Sequence, residues 1–505
     1  MALYILFFLL FLIPSLLEGI GIWVDHRIFL LYFSSIPILF YFYLSTFLKS
    51  ITIPLKTSIL YIFFLLFMTI STFFFSVDKQ TSFELLLFYY SSFLLFIFFY
   101  NYKKGGKWLS YSFPIVLGII FTIYSYLLPF FKLKGLHFLL PIGEKQFVFA
   151  SYVNHNHLGD FLGLFLIILC WYGLQKKWSL LPIFLFFLTI FISSFSRSAY
   201  LSFFIVILMM LFYNRNKLSS LILPLVFLLL SSVIFATYML SIQQPKNSPF
   251  YSLQQYGKTT FHMIPRDVLS ARDIFIKQAL LSIQKSPLFG IGGGNFIVAS
   301  RNNILNNAQS DSAHNIFFEL ATEQGLLATF CFILFIFLIS KCVLFTPTLP
   351  GFLFLYLLFN FQTDYTYQVY SLFLFWIILS SLTFTEKRHI SLLPALYGLL
   401  CLIPIFILAS ISTSVHLAKM GDYRNAIKWY PFNKGVYASA IKQSDDQVNI
   451  YIRQTEYIAP YDVNINTVIA AYYLQNGDKQ KALQYYERIY DNNHLCSFHF
   501  IKQIY

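Results

Sequence analysis

The sequence predicts an all-α fold: a polytopic transmembrane helical bundle of about 12–13 spans, with a large extracytoplasmic loop and a C-terminal helical-repeat domain. Three observations predict it. Only 11% of the 505 residues are charged, against roughly 25% in soluble domains. The composition is 58% hydrophobic and 21% aromatic, and the apolar residues recur in blocks of about 17–25, the length a helix needs to cross a bilayer. Two polar segments, 243–315 and 414–505, interrupt and end that pattern. Helices are required because each satisfies its own backbone within lipid.

The expected spans cover 2–22, 28–48, 54–76, 83–101, 110–131, 157–174, 178–194, 198–213, 218–242, 316–340, 350–363, 367–384 and 391–413. This divides the chain into a first transmembrane bundle (1–242), an extracytoplasmic loop (243–315), a second set of spans (316–413) and a soluble tail (414–505). The first block lacks a basic leader and a small-residue cleavage site, so it reads as a retained span.

With the N-terminus in the cytoplasm, the inner turns hold Lys49, Lys56, Lys103, Lys104, Lys107, Lys176, Lys177, Arg215, Lys217, Lys341, Lys387 and Arg388. The short outer turns hold only Arg27, Lys79, Lys132, Lys134, Lys145 and Arg197. That bias follows the positive-inside rule and sets the loop and tail outside, in a multi-pass arrangement. It also accounts for the net charge of +14 without a nucleic-acid partner. The block 350–363 is short for a span. A full crossing keeps Lys387 and Arg388 inside, as the charge bias favours; a re-entrant path would move them outside and the tail inside. Cys170, Cys331, Cys342, Cys401 and Cys496 form no C-x-x-C pair, so neither a disulfide framework nor a zinc site is expected.

In the loop, an amphipathic helix is expected from about 267 to 285, with Ile274, Ala279, Leu280 and Ile283 on its apolar face. Ser286 and Pro287 stop it, and Gly290, Gly292, Gly293 and Gly294 permit tight backbone. The tail repeats a theme: Gly421-Asp422 with Ala426, then Gly477-Asp478 with Ala482. Small residues at helix crossings, with Pro431 and Pro460 between helices, resemble tetratricopeptide repeats. Such a tail serves either as a platform for a protein or acceptor partner or as a structural cap docked on the bundle.

Four polar clusters fall on the predicted outer side. The first is Asn154-His155-Asn156-His157-Leu158-Gly159, where Asn156 can cap a helix and the two imidazoles, two residues apart, share no helical face for a metal. The second is Ser194-Phe195-Ser196-Arg197-Ser198, whose arginine is either functional or snorkelling to the interface. The third joins Arg266, Asp267, Arg272 and Asp273 to Pro287-Leu288-Phe289-Gly290-Ile291-Gly292-Gly293-Gly294-Asn295-Phe296. Guanidinium forks bind phosphate bidentately, and glycine-rich backbone can offer amides to the same anion; alternatively each arginine pairs with its neighbouring aspartate. The fourth is Asp311-Ser312-Ala313-His314-Asn315, leading into a span with Glu319 and Glu323 one turn apart. An imidazole there is either a proton acceptor at neutral pH or a helix cap.

These clusters, taken in order, resemble the O-antigen ligase/polymerase family. The fourth, with Gln324-Gly325-Leu326-Leu327 after it, is similar to the family's His-Asn segment. The third is similar to its arginine helix and Pro-Leu-Phe-Gly turn, the second to its Ser-Arg-small element, and the first to its Asn-x-Asn-His-Leu element, with His155 where the family often has proline. The resemblance covers about 150–384.

The resemblance implies transfer of a glycan from an undecaprenyl-diphosphate donor to a hydroxyl acceptor on a glycan, lipid or protein. It implies inversion, no metal and no cofactor, at the outer face of a membrane whose lipids surround the bundle. Within it, His314 would accept the acceptor's proton with Arg272 beside it, and Arg197, Arg266 and Arg301 would hold the diphosphate. Asn154, Asn156, His157, Gly292, Asn295, Asn315 and Glu319 would support them. The acceptor distinguishes a ligase from a polymerase or a protein O-oligosaccharyltransferase. A lipid-saccharide transporter, the rival of another class, would place charges mid-span, whereas Glu18 and Glu84 stand near span ends.

Overall fold

The structure, a computed structural model, describes residues 26–45, 50–102, 155–174, 181–194, 196–215, 272–305, 308–443 and 447–492. The expected spans 2–22, 110–131 and 218–242 lie outside the described residues, as do Asn154, Arg266, Asp267 and Cys496.

Each of the other ten expected spans falls on a helix. They are α1 (His26–Ser45), α2 (Leu55–Ile70), α3 (Lys79–Tyr102), α4 (His155–Leu174), α5 (Leu181–Ser193), α6 (Arg197–Tyr213), α9 (Ile316–Phe345), α10 (Leu349–Phe361), α11 (Tyr370–Thr383) and α12 (Pro394–Lys419). The loop contributes α7 (Arg272–Lys285) and α8 (Phe296–Asn302). Among the described residues, five helices are long and apolar enough to cross a membrane: α2 with its π-helical end Ser71–Phe75, α3, α4, α9 and α12. The chain is a multi-pass helical membrane protein.

The bundle has two faces, each defined by contacts between distant segments. At one, β1 (Ile51–Pro54) pairs antiparallel with β2 (His389–Leu392), and the Lys56 amide donates to the Glu386 carboxylate at 3.0 Å. Tyr213 donates to the Leu344 carbonyl at the same face, and Cys342 lies beside the Thr385 carbonyl. At the other face, α3, α4, α6 and α9 begin, and the loop and tail gather. The α10 helix begins after α9 ends, and the turn that follows it reaches Asp364, which accepts from Ser198 at the start of α6. The helix and the turn after it therefore link the two faces. The basic residues of the expected inner turns (Lys56, Arg215, Lys341, Lys387, Arg388) cluster on the β1–β2 face, away from Arg197 and Lys79.

Two helix features position the loop. Within α9, Gly325 has φ +81° and ψ 170°, which breaks the helix. There the Leu326 amide turns out to the Pro287 carbonyl at 2.8 Å, so the loop is bolted into the break. From Leu326 to Phe345 the helix rises about 30 Å at roughly 1.5 Å per residue, the thickness of a hydrocarbon core. The buried face of α7 is Phe275, Gln278, Ala279 and Ser282; of the expected Ile274, Ala279, Leu280 and Ile283, only Ala279 is fully buried. Leu280 is exposed because Gln278 takes the inward position, bonded to Ser300 at 2.8 Å and to the Ala308 carbonyl at 2.9 Å. A satisfied polar residue had masked the helical stripe.

The tail forms α13 (Tyr423–Trp429), α14 (Lys434–Lys442), α15 (Val448–Ile458), α16 (Val463–Gln475) and α17 (Lys479–Asn492), around its own apolar core. The repeated Gly-Asp pairs are helix junctions. Gly421 and Gly477 adopt φ of +82° and +79°, and Asp422 and Asp478 then accept the amides of Asn425 and Lys481. Ala426 and Ala482 are fully buried at crossings. The tail docks on the loop-bearing face: Lys434 bridges Asp78 and Asp462, and Tyr430 donates to Glu84 at 3.1 Å.

Candidate functional site

The four clusters converge on a fifth segment, the turn Gln362–Gln368 that joins α10 to α11. Asp364 is its centre and has no solvent exposure. Its Oδ2 lies 3.4 Å from Nη2 of Arg272 and accepts from Ser198 Oγ at 3.4 Å. Its Oδ1 lies 3.3 Å from Nδ1 of His314 and accepts the Tyr365 amide at 2.8 Å. The Tyr365 ring meets two imidazoles edge-on, His157 at 4.8 Å and His314 at 4.9 Å. Gly159 brings the first cluster against the second, since any Cβ there would meet Ser196 Cβ at 2.6 Å.

His314 is held from every side yet keeps part of its edge open. Its φ of +54° is the one positive value at a non-glycine position among the described residues, a strained conformation of the kind found at functional sites. Its ring stacks on Phe275 of α7, with centroids 5.5 Å apart. Its amide donates to Ser312 Oγ at 3.0 Å, and Ser312 in turn donates to Glu319 at 2.7 Å. The side chain is 19% exposed. The cap of α9 is Asn315, which accepts the amides of Phe317 and Phe318 and donates to the Gln362 carbonyl at 3.1 Å. The capping alternative for His314 therefore falls. The approach of Nδ1 to Asp364 is close but not aligned as a hydrogen bond; such contacts commonly tighten when substrate binds.

Burial alone would raise the Asp364 carboxyl. The imidazole of His314, with His157 and Arg272 nearby, outweighs it and holds the group below its ordinary value. The site therefore keeps a buried anion between an imidazole and a guanidinium. Arg272 pairs with Asp364 rather than with adjacent Asp273, which pairs with Lys277. Its Nε is buried with no hydrogen-bond partner among the described residues.

The other expected site residues divide. Arg197 opens α6 beside Ser198, with Ser196 as the cap that accepts the Ala199 amide. Asn156 lies in the first turn of α4. Glu319 is a brace: its carboxylate accepts from Ser312, from the Ala313 amide at 2.9 Å, from Gln368 at 2.9 Å and from the Tyr367 hydroxyl. Arg301 lies in the last turn of α8 and makes no ion pair or hydrogen bond to Asp364 among the described residues.

The glycine turn does not offer its amides to an anion. Gly290, Ile291 and Gly292 donate to the carbonyls of Ser286, Thr322 and Glu323, and the Glu323 carboxylate takes the Phe296 amide at 2.9 Å. Gly292, at φ +90°, packs where a Cβ would lie 2.3 Å from Ser76 Oγ, and Asn295 donates to Ser82 at 3.0 Å. Both residues are fastenings between loop and bundle, because the buried amides find acceptors in the kinked α9 first.

Asp364, Tyr365, Thr366 and Asp160 were not singled out from the sequence. The signal was the polar run Asn360 to Gln368 between two apolar blocks, which reads as an ordinary connection until Asp364 is seen to be buried.

Residues 181–333 match the family model described as O-antigen ligase. No curated protein matches the chain. The matched stretch contains Arg197, Arg272 and His314, while Asp160 and Asp364 come from outside it. Over residues 181–333, less than half of the chain, the protein is similar to the O-antigen ligase family.

Proposed function

We propose that this protein is a membrane glycosyltransferase that moves a glycan from an undecaprenyl-diphosphate donor to a hydroxyl acceptor at the outer face of the membrane. The family match supports glycan ligase or polymerase chemistry in general. The observation that carries the finer reading is the meeting of His314 and Arg272 on the two oxygens of Asp364.

The reaction is a single displacement with inversion. The acceptor oxygen bonds to the anomeric carbon as the bond to the diphosphate oxygen breaks, and the electron pair leaves on the lipid diphosphate. The acceptor's proton passes to Nε2 of His314, the nitrogen turned away from Asp364. Asp364 offsets the imidazolium charge so formed and orients the ring. The leaving group is already stable, so it calls for charge stabilisation more than protonation; Arg272 and Arg197 supply it. No metal is needed in this scheme.

The acceptor class is read by profiling lipid-linked glycans and secreted proteins in a strain lacking the protein. Accumulated long lipid-linked chains indicate a ligase, unpolymerised repeats a polymerase, and unglycosylated proteins an O-oligosaccharyltransferase. Lipid-linked glycans indistinguishable from the parent strain would refute the transferase reading, as would full transfer by His314→Ala.

A further inference from the structure

One buried acid has no part in that chemistry. Asp160 lies in α4, one turn beyond His157, and is completely shielded. Its Oδ2 accepts the hydroxyl of Thr366. Its Oδ1 is buried with no hydrogen-bond partner among the described residues, and no ion pair reaches it among them. A carboxyl so placed costs stability, and an apolar side chain of similar size would cost less. Its place is explained by what Thr366 holds.

Thr366 opens the short 3₁₀ turn Thr366–Gln368, directly after Asp364 and Tyr365. The far end of this turn is held by another buried acid, Glu319 of α9, through Tyr367 and Gln368. The same Glu319 fixes Ser312 and the Ala313 amide, and so the backbone of His314. Each side of the 3.3 Å approach between His314 and Asp364 thus has its own buried acid behind it, one on α4 and one on α9.

We propose that Asp160 is a positioning residue: through the Thr366 hydroxyl it sets Asp364 in register with the His314 imidazole, with Glu319 as the opposing jaw. The inference rests on His314 acting as the base. Asp160 itself is out of reach of any substrate.

The test uses the full chain in proteoliposomes, with the lipid-linked glycan extracted from the strain lacking the protein as donor. Thr366→Val keeps the side-chain shape and removes the hydroxyl. It is expected to lower kcat by roughly 10- to 100-fold with little change in KM for the donor, as small misplacements of catalytic groups do. Thr366→Ser is expected to restore kcat. Asp160→Ala should match Thr366→Val, and the double variant should be no worse than either, because the two act as one unit. Losses that multiply, or a Thr366→Val enzyme with wild-type kcat, would overturn the proposal while leaving the transferase reading intact.

A readout independent of turnover is the NMR resonance of ¹³C-labelled His314, assigned by its loss in His314→Gln. It should move in Thr366→Val and Asp160→Ala and return in Thr366→Ser. If the wild type transfers no glycan but these shifts occur, the clasp stands and the transferase reading fails. An unmoved resonance in both variants overturns the clasp.

Discussion

Arg272 and His314 lie on opposite oxygens of the same carboxylate, Asp364, at 3.4 and 3.3 Å, although they come from different helical segments of the chain. The imidazole and the guanidinium thereby share one buried carboxylate. His314→Ala is expected to reduce transfer by about 10²–10⁴-fold. Arg272→Lys should fail nearly as badly as Arg272→Ala, since a point charge cannot replace a fork. The assay is glycan transfer by variants whose membrane insertion has been checked; wild-type turnover in either position removes that residue from the mechanism.

Asp364 gives a pH prediction. Its folded-state pKa lies below the ordinary carboxyl value of 3.8, so its contribution to stability is present above that pH and is lost as the pH falls through the lowered value. The difference in thermal midpoint between wild type and Asp364→Asn should shrink as the pH falls below about 4. A difference that keeps growing below about pH 4 would contradict the assignment.

Glycines with similar φ should respond very differently to alanine. At Gly325 the new Cβ would meet the Leu288 carbonyl oxygen at 2.1 Å, so both the backbone and the loop junction must shift. A loss of several kcal/mol, seen as failed insertion or a collapsed melting transition, is expected. At Gly421 nothing lies within 4 Å, and only the left-handed backbone opposes a side chain, about 1–2 kcal/mol. Equal effects at both sites would show that the loop is not seated in the break of α9.

The tail is fastened by Lys434, whose ammonium serves both Asp78 of the bundle and Asp462 of the tail. Those carboxylates hold it above the ordinary lysine range against the opposing pull of burial. Lys434→Ala leaves two carboxylates facing each other and should weaken docking by about 2 kcal/mol. Limited proteolysis should then release the tail faster, with the bundle unchanged; an unaltered digestion rate would place the docking energy in the Phe73, Phe83 and Phe432 contacts instead.

The sequence by itself determined the helical class, the order of the spans and the four polar clusters. These depend on local properties: apolar length, charge at span ends, glycine and cap residues. It also placed Arg197, Arg272 and His314 at one face, because span parity carries sidedness along the chain. Only the tertiary structure decided what those residues meet. Asp364 reads as a loop acid until packing buries it, and Asp160 reads as the polar start of a span until Thr366 arrives from a distant turn. The glycine turn shows the reverse case. Its composition suited an anion, but the broken α9 supplies carbonyl acceptors at closer range, and a buried amide takes the partner that folding brings first.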